Sequence, residues 1–173
     1  MSNVEILRVV VVYNISGTVL TDYATEDWTY NKEDKAIGSL FRTLVAIAKD
    51  FDEGIVHFVS FKMPAGTNPG QSRRGGNTEP VNLNLALTMK NAIITGVFYK
   101  VKGDDSRVVE NENPWVEGVA NKIYEAFAAD HLDFYCSIKP ALEEAFQKSE
   151  DLPQEMSDRF AAFSDKIPGI ISQ

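Results

Sequence analysis

Residues 6–24 read ILRVVVVYNISGTVLTDYA, and the fold turns on how that stretch is parsed. The run 6–13 is rich in β-branched residues and too short for a typical helix, so it reads as a strand buried on both faces. Asn14-Ile15-Ser16-Gly17 is a turn: Gly17 tolerates positive φ, and Asn14 and Ser16 can bond nearby backbone. Residues 18–24 then alternate, Val19, Thr21 and Tyr23 against Thr18, Leu20 and Asp22. Two β runs joined by a short turn predict an antiparallel hairpin.

Downstream, residues 25–35 are polar and acidic apart from Trp28 and Tyr30, and form a loop into an amphipathic helix over 34–51. Asn31 or Asp34 can cap it, and Glu33 suits its positive end. Ile37, Leu40, Phe41, Leu44, Ile47, Ala48 and Phe51 recur at three and four, with Lys35, Arg42 and Lys49 largely off that stripe. Gly54 is the stop. Residues 55–62 (IVHFVSFK) form a third strand. Residues 63–80 are Gly/Pro/Asn-rich and read as a mobile insertion. Residues 81–89 (VNLNLALTM) alternate cleanly, Lys90-Asn91 turns the chain, and 92–101 (AIITGVFYKV) return as a fifth strand. Gly96 within it marks a bulge or a close backbone approach.

The remainder is helical. Residues 102–112 are charged and read as a solvated loop, and Asn113-Pro114 starts a second helix running to about Leu132. A third helix covers 137–148 around Pro140, a further one 154–163, and 167–171 are apolar but broken. Neither an internal repeat nor a second-domain boundary is visible. The expectation is one domain over 1–150 with a helical extension over 151–173.

Composition narrows the function classes. With 44 % hydrophobic residues the chain can bury a real core, and a formal net charge of −8 opposes phosphate backbones, so nucleic acid is not an expected partner. The single cysteine, Cys136, allows neither an internal disulfide nor a four-cysteine metal site and fits a reducing compartment. Glu5 and Arg8 interrupt the first apolar run, no signal sequence is evident, and no window is apolar enough to span a bilayer. The expected location is cytoplasmic.

No constellation reads as catalytic. Gly70-Gln71-Ser72-Arg73-Arg74-Gly75-Gly76 spaces two glycines like a phosphate loop, but Gly76 and Asn77 stand where Lys and Ser or Thr are needed, and a β-rich segment follows instead of a helix. It reads as a surface loop whose Arg73 and Arg74 are available to an acidic partner or a lipid phosphate. His57 lies among apolar strand residues, and His131, beside Asp130 and Asp133, reads as a helix-end residue; neither gathers enough ligands for zinc. Cys136, Ser137 and His131 are close in sequence, which is not triad geometry. Asp104-Asp105 and Glu110-Asn111-Glu112 lack the alternation of a calcium loop. The expected catalytic, cofactor and metal residues are therefore none. Trp28, Tyr30 and Trp115 join Arg73 and Arg74 as candidate interaction residues, because Trp and Tyr anchor interfaces; the plain alternative for the aromatics is closure over the edge of the core.

Residues 6–24, then 57–62 (HFVSFK) with 85–99 (LALTMKNAIITGVFY), then 113–127 (NPWVEGVANKIYEAF) follow an order that resembles the longin-like fold. That family has a five-stranded antiparallel sheet, a helix between the second and third strands, and helices at the end. The resemblance spans about 6–148, and the insertion at 63–80 and the tail after 150 depart from a minimal unit. It implies an α+β protein, longin- or profilin-like, without an active site, because longin-like and roadblock domains serve as adaptors, trafficking-complex subunits and platforms for small GTPases. Other protein subunits, a small GTPase, a homo- or hetero-dimer and membrane association through partners are the implied contacts. A sheet with helices on one side leaves a face or an edge for a second chain, and helix 34–51 with its neighbouring strands is the expected docking surface. The alternative function is a PAS/GAF-like sensory domain that encloses a small ligand, with Asn82 and Asn84 as lining residues.

Overall fold

The computed structural model describes residues 4–28, 34–50, 56–63, 81–101, 106–148 and 150–172. Ten elements follow in chain order: β1 (Val4–Tyr13), β2 (Thr18–Ala24), α1 (Asp34–Asp50), β3 (Phe58–Met63), β4 (Val81–Lys90), β5 (Ile93–Val101), α2 (Ser106–Lys148), α3 (Gln154–Ala161), a 3₁₀ helix (Ala162–Lys166) and α4 (Ile167–Ile171). The strands form one antiparallel sheet in the order β2-β1-β5-β4-β3, so the molecule is α+β.

β1 is an interior strand, between β2 and β5, and is apolar on both faces because both faces are covered. Val9, Val11 and Tyr13 point into a core closed by α2 and the C-terminal helices. Leu7, Val10 and Val12 point into a second core with Trp28 and, from α1, Ile37 and Phe41. A sheet covered on one side only is thus corrected: α1 occupies the opposite face. The alternation of β4 sorts its residues the same way, Leu83, Leu85 and Leu87 toward α1 and Ala86 toward α2.

Three local features explain this placement. Gly17 sits at φ 71° in the β1–β2 turn, and Gly38 of α1 lies so close that a side chain on it would enter the Gly17 carbonyl. The hairpin tip and the helix therefore meet backbone to backbone. Gly96 of β5 leaves room for the Phe41 ring: a methyl there would come within 2.5 Å of Phe41 Cζ. Between Ile6 and Arg8 the β1–β5 register slips, and this bulge turns Leu7 and Arg8 toward the α1 face together. Arg8, 0 % exposed, reaches Asp22 by Nε–Oδ1 at 2.8 Å and Nη2–Oδ2 at 2.6 Å and lies 5.1 Å from the Trp28 ring centre.

The C-terminal half departs from expectation. One 43-residue helix spans what read as a loop (106–112) and two helices, with Pro114 and Pro140 inside it. Asn113 is therefore not a cap. Pro140 denies a hydrogen bond to the Cys136 carbonyl, but Cys136 is exposed, so water can take that bond. Ile138 and Leu142, buried on either side, hold the helix course. The β4–β5 turn is centred one residue later than the sequence suggests, at Asn91 (φ 52°) and Ala92 (φ 60°). The tail closes over β2 and α2 with Phe160, Phe163 and Ile167 buried, and Thr21 Oγ1 donates to the Phe160 carbonyl at 2.6 Å.

Candidate functional site

At the hairpin end of the sheet lies an open groove of about 570 Å³. The β1–β2 turn supplies Ser16, Gly17 and Thr18, α1 supplies Ser39 and Arg42, the end of α2 supplies Phe146, the approach to α3 supplies Glu150 and Asp151, and α3 itself supplies Ser157. Each is placed by the packing described above. The Gly17–Gly38 contact brings the turn against α1, and Ser16 steadies the turn by accepting from the Thr18 amide at 3.2 Å, its hydroxyl 2.6 Å from Thr18 Oγ1. The Glu150 amide donates to the Ala145 carbonyl at 2.9 Å, turning the chain out of α2 along the groove. On the α2 side, Tyr13 donates to Glu143 Oε1 at 3.1 Å and Tyr135 to the Asn91 carbonyl at 3.1 Å, tying the helix to both turns.

Arg42 lays its guanidinium 4.9 Å from the centre of the Phe146 ring, which is 40 % exposed. The two make a flat, partly apolar plate with a cationic edge, opposite the carboxylates of Glu150 and Asp151. Ile15 and Met89 are exposed at the same end, where the two hairpin turns touch through the Asn14 amide and the Ala92 carbonyl at 2.9 Å. Such a surface offers area, hydrogen-bond donors and acceptors, and both charge signs. Among the described residues lining it there is neither a histidine nor a cysteine, so they hold no nucleophile–base couple of those types.

The residues singled out in the sequence do not converge. Trp28 is 3 % exposed and packs 5.1 Å from Phe98, so of its two readings it takes closure over the core. Trp115, on α2, is 39 % exposed and is not among the residues that line the groove. Tyr30, Arg73 and Arg74 lie outside the described residues. α1, the expected docking helix, contributes Arg42 to the groove and exposes Ile47.

The two histidines also differ from their sequence readings. His57 precedes β3 and is exposed, with Nδ1 3.0 Å from Glu117 Oε1. His131 is inside α2 instead of at its end, among Phe127, Phe160 and Phe163. Among the described residues no cluster of three or more potential metal ligands occurs, and no helix is long and apolar enough to cross a membrane.

Sequence reasoning missed the groove because its parts are far apart in the chain. Arg42 reads as a solvated residue off the apolar stripe, and Phe146 stands about a hundred positions further on, in another helix. The Gly17–Gly38 approach, which sets the turn against α1, and the Arg42–Phe146 contact are both invisible to periodicity. No protein-family model, curated protein or solved structure matches this chain.

Proposed function

We propose that the protein is a non-enzymatic interaction subunit, an adaptor of longin-like architecture in a cytosolic complex linked to membrane trafficking or a small GTPase. Its partners are other protein subunits, and any membrane association runs through them. The observation that carries this reading is the hairpin end of the sheet: of the five large apolar side chains exposed among the described residues, Phe146 lines the groove and Ile15 and Met89 stand at the two neighbouring hairpin turns. Trp115, on α2, is a second anchor. The order of elements supports the longin-like assignment, with α1 following β2 and the long helix following β5.

The test is capture of stoichiometric partners from cytosol by the intact protein and by Phe146→Asp and Arg42→Glu. Losing a hot spot of about 2 kcal/mol weakens a partner about 30-fold, so each variant should release it. Undiminished capture by both variants would sink the reading.

A specific observation favours the PAS/GAF-like alternative as a second reading. Asn84 Nδ2 and Thr95 Oγ1 are buried without hydrogen-bond partners, on the sheet face that α2 covers. Unsatisfied polar atoms at such a place suit a small polar ligand. Native mass spectrometry of the purified protein decides it, through a retained adduct that Asn84→Leu abolishes.

A further inference from the structure

His131 is half-buried in a setting that favours its neutral form. Its ring centre is 5.1 Å from that of Phe127, one turn earlier on α2, and 5.8 Å from those of Phe160 in α3 and Phe163 in the 3₁₀ helix. Phe127 in turn contacts Phe160 at 5.8 Å and Phe163 at 5.3 Å. His131 is therefore the fourth ring of the cluster that fastens the C-terminal strap, residues 154–171, to α2.

The Nδ1 atom is buried and has no hydrogen-bond partner. A neutral imidazole can leave that nitrogen as a bare lone pair. The imidazolium puts a proton on both nitrogens, which here creates a buried donor without an acceptor, and a charge, among phenyl rings. The faces of those rings attract a cation weakly but do not replace water.

The charged groups around the ring pull in both directions. Among the described residues that act on it, Asp130 from α2 is an anion, and Arg159 from α3 and Lys166 from the 3₁₀ helix are cations. Asp130 is already engaged by Lys166 Nζ at 2.5 Å, and Arg159 lies 3.9 Å from the centre of the Phe134 ring. Burial, aided by Arg159 and Lys166 and opposed by Asp130, holds His131 below the ordinary histidine range. A depressed folded-state pKa means that the docking contribution is complete above about pH 6.5 and is lost as the pH falls through the folded value.

We propose that His131 is a proton-operated latch: its neutral ring keeps the strap on α2 and β2, and protonation releases residues 154–171 and uncovers the apolar surface beneath. This inference stands independently of the groove and its partners.

Hydrogen exchange of the full chain, followed by mass spectrometry from about pH 7.5 to about pH 5 and corrected for intrinsic rates, tests it. Strap amides should lose protection in the wild type and in His57→Gln, while His131→Phe, which keeps a ring in place, should stay protected throughout. Lys166 holds Asp130 below the usual carboxylate range, so that carboxylate stays charged over the window. The ring signals of His131 and His57 are titrated by NMR in parallel, which decides the matter even if His131→Phe does not fold. The midpoint of strap opening should coincide with the His131 titration. Equal loss in His131→Phe, opening that tracks His57, or a His131 that titrates at or above about pH 6.5 would overturn the latch.

Discussion

Asp22→Ala should be among the most damaging single changes available at a partly exposed position. Asp22 is 27 % exposed, but its partner Arg8 is 0 % exposed, and the pair is bidentate at 2.8 and 2.6 Å. Removing one member of a buried pair costs about 3–5 kcal/mol, because the remaining charge loses a bidentate partner. Water reaches the Asp22 side and Arg8 keeps its contact with Trp28, so the lower end, about 3 kcal/mol, is expected. Against a total stability of about 5–15 kcal/mol that is a large share. It corresponds to a fall in Tm of roughly 6–12 °C for a chain of this size. Arg8→Met combined with Asp22→Leu removes both charges and keeps a long side chain against Trp28, and should lie within about 1 kcal/mol of wild type. Urea unfolding at constant m gives the four corners of the cycle. A cost below about 1 kcal/mol for Asp22→Ala, or a double variant less stable than either single one, would refute the claim that Arg8 depends on this carboxylate.

Three further outcomes follow from the packing. Gly38→Ala should lower stability by about 2 kcal/mol in a denaturant titration, because its methyl would enter the Gly17 carbonyl and push α1 off the hairpin. Gly96→Ala should cost a similar amount, about 1–3 kcal/mol, and pairing it with Phe41→Leu should recover part of that loss; a strictly additive double variant would show that the Phe41 ring is not what the methyl meets. At high pH, burial and the adjacent Glu143 carboxylate push Tyr13 up to about 12, and burial also raises Tyr135. Raised folded values mean that the tyrosines contribute fully below about pH 10 and that this contribution is lost as the pH climbs toward the folded value; tyrosinate absorbance should rise late in the native protein and early in urea.

What the sequence made legible was whatever local pattern decides. Period-two alternation located β2 and β4, and the three-and-four spacing from Ile37 located α1, because each of these elements presents one face to a core. Gly96 was readable as a close approach, although not that Phe41 would be the neighbour. α2 was misjudged because Pro114 and Pro140 suit helix starts; burial of Ile138 and Leu142 outweighs the hydrogen bond that Pro140 forfeits. Arg8 looked like an interruption in an apolar run; a register slip turns it inward, and a carboxylate on the next strand pairs with it there. The groove and the histidine latch were illegible for a common reason. Each is assembled from residues tens to more than a hundred positions apart, brought together by the sheet and the long helix.

The interior position of β1, between β2 and β5, also sets a timetable for biogenesis. Tyr13 pairs with Ile93, so about 80 residues must be translated before one edge of that strand finds its neighbour. At about 5–20 residues per second the wait is roughly 4–16 s. Throughout it, the nascent hairpin carries a valine-rich edge with unspent hydrogen bonds, a template for sticking to other unfinished chains. Ribosome-associated chaperones that shield extended apolar segments should therefore matter more to the yield of this protein than its modest size suggests.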